Sequence, residues 1–150
     1  MRLSAKADYA CRAMAELASA KPPCKAERLA TAQDIPLKFL ENILLELKHA
    51  GLVESQRGGD GGYWLARDAS DIALADIIRA VEGPLAYVRG HRPEALEYRG
   101  VAEPLRDVWV ALRANVRVVL ESVTLADIVA SRLPDVVQSL TADSNAWHSH

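Results

Sequence analysis

Cysteine, excess charge of one sign and long hydrophobic runs are all scarce in this chain of 150 residues. Its two cysteines, Cys11 and Cys24, have no close-spaced partner, so the sequence predicts neither a disulfide scaffold nor a metal site. The formal net charge is -2, and any contact with nucleic acid must therefore depend on local placement of lysine and arginine. No stretch is long and uncharged enough to span a bilayer, and the first six residues lack the apolar run of a signal peptide. We therefore expect a cytoplasmic protein with no membrane partner.

Patterns typical of catalysis are also missing. The sequence contains no paired carboxylates and no nucleophile with a histidine at a spacing that suggests catalysis. The glycines between positions 58 and 62 lack both a following helix and the lysine-serine pair of a phosphate-binding loop. The sequence therefore predicts that the protein is not an enzyme.

The stretch from Lys25 to Arg67 has the pattern of a helix, a turn, a second helix and a hairpin. Lys25 to Gln33 is a short helical pattern, and Asp34-Ile35-Pro36 supplies a turn in which Pro36 suits a first helical position. The next segment has one apolar stripe at three- and four-residue spacing, made of Leu40, Ile43, Leu44 and Leu47. Gly51 is a helix stop, and strands are predicted at 52–56 and 63–66 around a glycine-rich tip. This order predicts a winged helix-turn-helix.

The flanking segments are predicted to be mainly helical. Ser4 is a candidate N-cap for a first helix, and Ile72 to Glu82 has helical spacing before Gly83-Pro84. No period is present from Leu85 to Glu103, which we interpret as a linker or long loop. From Pro104 a long helix is predicted, followed by a short helix that Thr124 can cap and that ends before Pro134. The fold is therefore expected to be mainly α with a small β-hairpin wing.

The long helix has a heptad pattern of apolar residues, which is typical of a coiled seam between two chains. Its members are Leu105, Trp109, Leu112, Val116, Val119 and Val123. We predict four segments: a winged DNA-binding domain over 1–83, a linker over 84–103, a dimerisation helix with a short capping helix over 104–132, and a tail over 133–150.

A winged fold places its second motif helix in the major groove and its hairpin tip in the neighbouring minor groove. The predicted DNA-binding residues on the helix are Lys38, Phe39, Glu41 and Asn42, because ammonium, apolar, carboxylate and amide groups can meet base edges. On the wing they are Arg57, Gly58 and Gly59, which suit a narrow, negative groove. Asp60 at the tip would be repelled by phosphate unless it points away or pairs with Arg57.

Several segments together resemble the Rrf2 family of bacterial winged-helix regulators. They are Leu3-Ser4 with Tyr9-Ala10, Leu40-Glu41, Ala50-Gly51-Leu52-Val53, Arg57-Gly58 with Gly61-Gly62-Tyr63, Asp76-Ile77-Ile78 with Val81-Glu82-Gly83-Pro84, and Thr124-Leu125-Ala126-Asp127. The resemblance implies a homodimer that binds a partly palindromic operator in double-stranded DNA. Sensing members of the family hold an iron-sulfur cluster through cysteines in the loop before the long helix, and that loop has none here. The chain is thus similar to the cluster-free, CymR-like branch, which implies no cofactor and control by a small molecule or a partner enzyme.

Two alternatives to this interpretation remain. The near-neutral charge and Asp60 would also suit a regulatory adaptor that binds an enzyme instead of DNA. An atypical iron-sulfur or thiol redox sensor could use Asp8, Cys11 or His91, with Cys24 better placed for a thiolate because it lies near a helix N-terminus.

Overall fold

The computed structural model describes all 150 residues, which form seven α-helices and one two-stranded sheet. The elements are α1 Ala5–Ser19, α2 Ala26–Gln33, α3 Leu37–His49, β1 Val53–Gln56, β2 Gly62–Leu65, α4 Leu74–Glu82, α5 Leu105–Ser122, α6 Leu125–Val129 and α7 Asp135–Thr141. The predicted fold class, mainly α with a hairpin wing and a long C-terminal helix, is confirmed. None of these helices is long and apolar enough to cross a membrane.

Helix α1 is the central element of the core. Its N-cap is Ser4, as predicted, and the Ser4 hydroxyl accepts a hydrogen bond of 3.0 Å from the Ala7 backbone N–H. Alanines dominate its buried face, so neighbouring helices can approach closely, and α2, α3, α4 and α6 all pack against it. This packing fixes the helix-turn-helix against the rest of the chain.

The turn between α2 and α3 depends on a left-handed residue and a buried one. Asp34 ends α2 with φ of 51°, a conformation that aspartate tolerates better than most side chains. Ile35 then inserts into the core, where only 4% of its surface is exposed. Pro36 is the residue before the first turn of α3 and not its first member, so the predicted helix start was one residue early.

The wing is an antiparallel hairpin in which Val53 pairs with Leu65 and Gln56 with Gly62. Each strand differs from its predicted bounds by one residue at one or both ends. Such shifts are ordinary, because strand ends are set by hydrogen bonds that the sequence pattern does not show.

The segment from Leu85 to Glu103 is irregular, as predicted, but it packs against the protein. It contains two short 3₁₀ turns, and its buried residues are Leu85, Pro93 and Leu96. Three anchors over about twelve residues leave no room for a helical or strand period, which explains why the pattern failed while the loop is still ordered.

Helix α5 packs on its own chain and leaves part of its apolar surface exposed. Val116 and Leu120 lie against a small cluster formed by Ala7, Ala75, Ile78 and Leu85. The Trp109 indole N–H donates a hydrogen bond of 2.9 Å to the Tyr98 hydroxyl in the preceding loop. About 60° to 100° around the helix from Trp109, Leu112 and Val108 remain 37% and 52% exposed.

The prediction that Val123 is a dimerisation residue was wrong. The helix ends at Ser122, and Val123 is only 3% exposed because it lies in the core of its own chain. Its carbonyl accepts a hydrogen bond of 2.9 Å from the Leu74 N–H, which ties the end of α5 to the start of α4. The heptad spacing continued across this residue although the helix did not.

The C-terminal region holds one predicted element and one unpredicted element. Thr124 caps α6 through a capping box with Asp127, with hydrogen bonds of 2.9 and 3.2 Å. The predicted tail over 133–150 contains helix α7, which packs against α5. Pro134 precedes α7 and Asp135 occupies its first turn, a start signal that the tail interpretation overlooked.

Candidate nucleic-acid interface

Helix α3 divides into a fully buried face and an exposed face. Leu40, Ile43, Leu44 and Leu47 are each at most 1% exposed, which fixes the rotation of the helix in the domain. The four predicted contact residues on this helix, Lys38, Phe39, Glu41 and Asn42, are all exposed. A helix held on one side with polar groups on the other has the form that a major groove admits.

Phe39 is exposed over 43% of its surface, yet its ring is held in place. The Phe39 and Tyr9 rings meet in a T-shaped arrangement, with a centroid distance of 5.6 Å and an interplanar angle of 82°. The Arg12 guanidinium lies over the same Tyr9 ring, 4.7 Å from its centre. Tyr9 and Arg12 therefore orient the exposed end of α3, a role that the sequence analysis missed because the contact joins two distant elements.

The wing tip requires glycine at two positions for steric reasons. A Cβ atom on Gly61 would lie 2.0 Å from the Gln56 carbonyl oxygen, and one on Gly62 would lie 2.7 Å from the Cys24 carbonyl oxygen. Gly59 has open space around it instead. The tight turn closes with a hydrogen bond of 3.1 Å from the Gly61 N–H to the Gly58 carbonyl. The tip thus has the narrow cross-section that a minor groove can accept.

The wing is fixed to the domain by backbone and lysine contacts. Cys24 and Tyr63 exchange two backbone hydrogen bonds of 2.9 and 2.8 Å, which attach β2 to the segment before α2. The Lys25 ammonium donates to the Gly58 carbonyl at 2.9 Å, and the Lys48 ammonium donates to the Ser55 hydroxyl at 2.8 Å. Both lysines bring positive charge to the wing beside exposed Arg57.

Acidic residues on the wing oppose this positive charge. Asp60 is exposed and forms no ion pair with Arg57, so one of the two arrangements considered for it does not occur. Glu54 accepts a hydrogen bond of 2.9 Å from the Trp64 indole N–H. The local charge of the wing is therefore mixed, in agreement with the near-neutral composition.

A sequence model of the Rrf2 family, described as an iron-dependent transcriptional regulator, matches residues 3–131. The chain belongs to the Rrf2 family. It is therefore a winged-helix, DNA-binding transcriptional regulator and not an enzyme.

Individual relatives agree with this assignment over nearly the whole chain. A protein of Mycobacterium tuberculosis H37Rv named as an HTH-type transcriptional regulator, Rv1287, is 48% identical over 99% of this chain and 94% of its own length. The regulator CymR of Bacillus subtilis is 36% identical over 87% of this chain and 91% of its own length.

Solved structures agree as well. The structure of B. subtilis CymR, described as the global cysteine regulator, aligns with a TM-score of 0.73 at 34% identity and covers 87% of this chain and 98% of its own. The structure of T. potens IscR aligns with a TM-score of 0.71 at 30% identity, over 100% of this chain and 93% of its own.

The iron that the family description implies does not fit the donor atoms of this Rrf2 protein. The loop over 84–103 has no cysteine, and no three side chains of the kinds that ligate metals lie close enough together to hold an ion. Cys11 lies in α1, where burial and then the charge of Asp8 raise the pKa of its thiol to about 11. Asp8 itself pairs with Arg12 at 3.0 Å.

Cys24 is equally unsuited to form a thiolate. Only 2% of its surface is exposed, and burial raises the pKa of its thiol despite the opposing influence of Arg28. The expectation that a helix N-terminus would favour the Cys24 thiolate is not met, because burial has the largest influence on the pKa of this thiol and raises it.

Proposed function

We propose that this Rrf2 regulator is a homodimeric, cluster-free repressor that acts in the cytoplasm on a partly palindromic operator. The observation that carries the proposal is the pairing of the exposed face of α3 with a narrow, glycine-tipped wing fixed beside it. In this arrangement α3 enters the major groove, and the wing tip follows the adjacent minor groove.

Each predicted contact residue has a separate task in this proposal. Asn42 and Lys38 donate to base edges, Glu41 accepts from cytosine, and Phe39 packs against a thymine methyl group. Arg57 contacts phosphate or the minor groove, and Gly58 and Gly59 let the wing backbone approach the DNA. The α3 residues therefore set sequence preference, whereas Arg57 contributes affinity that depends on salt.

We propose that the dimer forms through an exposed part of α5. We call it the outer stripe and define it as Leu105, Val108, Leu112 and Val119. The first three are 39%, 52% and 37% exposed, and all four lie between about 20° and 80° around the helix from Val116, in the direction away from Leu120. A two-fold partner would cover these side chains and place two α3 helices about 34 Å apart, one turn of DNA. Trp109 lies at the border between this stripe and the loop of its own chain.

The interface is tested by selecting genomic fragments with the purified protein and measuring affinity for the recovered motif at several salt concentrations. Replacing Arg57 by alanine should weaken binding to all sequences and reduce the slope of log K against log salt by about 0.9, the value for one phosphate contact. Replacing Asn42 by alanine should relax the base preference at one position by about 1–3 kcal/mol. Arg132→Ala is a matched control, because Arg132 is exposed and lies after α6, away from the wing.

If the Arg57 and Asn42 variants both kept the wild-type footprint and salt slope, neither residue would belong to the DNA interface. Retention of DNA without any shared motif, together with stoichiometric co-purification of an enzyme, would instead favour the adaptor role. In the proposed function, a small molecule or a partner protein controls the binding of the regulator to DNA.

A further inference from the structure

A cavity of about 340 Å³ lies between α4, α5 and the loop that joins them. Nine residues line it, and only two of them are hydrophobic. Four are arginines from three different elements: Arg79 on α4, Arg92 on the loop, and Arg113 and Arg117 on α5. This concentration of one charge is unusual in a chain whose overall charge is slightly negative.

The carboxylates present neutralise only half of these arginines. Arg79 pairs with Glu121 at 2.5 Å, and Arg113 pairs with Glu94 at 2.5 Å. Arg92 and Arg117 form no ion pair. Arg92 is stabilised by Tyr87 and, more weakly, by the charge of Glu94, both of which raise its pKa. The four arginines therefore outnumber the two carboxylates, Glu94 and Glu121, by two.

An anion would reduce the repulsion among these arginines. Guanidinium groups repel one another, and the repulsion grows where burial lowers the local dielectric constant. Arg113 is the most enclosed of the paired arginines, with only 13% of its side chain exposed. Arginine forks match the oxygens of carboxylate and phosphate groups in bidentate geometry.

We propose that this cavity binds a small molecule that carries two anionic groups, each a carboxylate or a phosphate. Arg92 and Arg117 hold one group, and Arg113 receives the other. The remaining volume is sufficient for a short carbon skeleton and too small for a macromolecular segment.

Glu94 occupies part of this site as an internal competitor. Its carboxylate lies against Arg113, and its side chain is 51% exposed on a loop, so a ligand oxygen can take its place without breaking the core. Its own backbone N–H and then the Arg113 guanidinium hold the pKa of Glu94 below the usual range, which keeps the carboxylate charged at neutral pH. Removing this charge should therefore strengthen binding of the ligand.

The position of the site also suits control of DNA binding. Arg79 belongs to the helix that follows the wing, whereas Arg113 and Arg117 belong to the helix that carries the outer stripe. A ligand held by Arg92, Arg113 and Arg117 would fix α5 against the loop that follows α4, and with it the dimer interface against the DNA-binding elements. This regulatory step rests on the proposed function, but binding of the ligand does not.

The test is titration calorimetry of the purified full chain at constant ionic strength with four probes: inorganic phosphate, pyrophosphate, succinate and citrate. We expect at least one probe with two anionic groups to bind, and the two chemical classes separate phosphate from carboxylate preference. In the R92Q/R117Q variant the affinity should fall about 10-fold or more, because each hydrogen bond to a charged group is worth that much. Both residues are exposed, so the fold should survive, as circular dichroism can verify.

Two further variants make the test decisive. R106Q removes an exposed arginine from the same helix outside the cavity and should bind like the wild type. E94Q should bind several-fold more tightly, a result that a purely structural ion pair would not produce. Binding of no probe, or equal binding by the wild type and R92Q/R117Q, would overturn the proposal, and neither result depends on whether the protein binds DNA.

Discussion

Replacing Leu112 by alanine tests whether the outer stripe of α5 forms the dimer interface. Leu112 is 37% exposed, and full burial of a leucine is worth about 1.5–3 kcal/mol, so covering the exposed part contributes about 0.8 kcal/mol. Because Leu112 occurs twice in a two-fold dimer, its truncation should cost about 1.6 kcal/mol of association free energy per dimer. This corresponds to roughly a 15-fold rise in the dissociation constant. Leu112→Glu should act more strongly, because it places a carboxylate in an apolar seam.

The assay is sedimentation velocity over a range of protein concentrations, with circular dichroism to verify the fold. Leu45→Ala is a matched control, because Leu45 is 51% exposed on α3 and lies outside the stripe. The predicted seam residue Val123 gives a second contrast, since its truncation should lower the stability of each chain and leave association unchanged. A wild-type dissociation constant in both Leu112 variants would refute the stripe as the interface.

Two other predictions follow from the wing and from the buried thiol. Gly61→Ala should distort the wing tip and lower the free energy of unfolding, because its Cβ would lie 2.0 Å from the Gln56 carbonyl oxygen. Gly59→Ala, with open space around it in the chain, should leave the free energy of unfolding unchanged. Equal midpoints of urea unfolding for the two variants would contradict this. The raised pKa of Cys11 means that the folded chain keeps a proton that the unfolded chain releases, so stability is full below pH 9.0 and falls as the pH rises toward about 11. Urea unfolding at about pH 8 and about pH 10.5 should therefore show a loss of about 2 kcal/mol that Cys11→Ala lacks, and identical pH slopes would show that Cys11 is not desolvated.

The strongest periodic segments of the sequence predicted the fold well. Leu40, Ile43, Leu44 and Leu47 defined α3, and each is buried as the pattern required. The glycine tip located the wing, because only a few backbone conformations join two strands over so short a distance. Local patterns of this kind report on one element and the face it buries.

Features that depend on contacts between distant elements were not visible in the sequence. The support of Phe39 by Tyr9 and Arg12 joins α3 to α1, and the arginine cavity gathers side chains from α4, α5 and a loop without any period. Cys24 does lie near a helix start, but burial in the core has the largest influence on the pKa of its thiol, and the local sequence does not show that burial.

The heptad pattern of α5 combines residues that pack on their own chain with residues that remain exposed. Val116 meets its own chain, whereas Leu112, four positions earlier on the same predicted seam and about 40° around the helix, remains 37% exposed. A broad apolar stripe that is partly packed and partly exposed has the same three- and four-residue spacing as a narrow stripe with a single environment. The sequence therefore could not separate the packed residues from the exposed ones. Helix α5 packs on its own chain and also exposes the outer stripe. A change at the arginine cavity would therefore alter the packing of α5 on the chain and move the stripe with it. Helix α5 is therefore the element through which a signal from the cavity would reach a second chain.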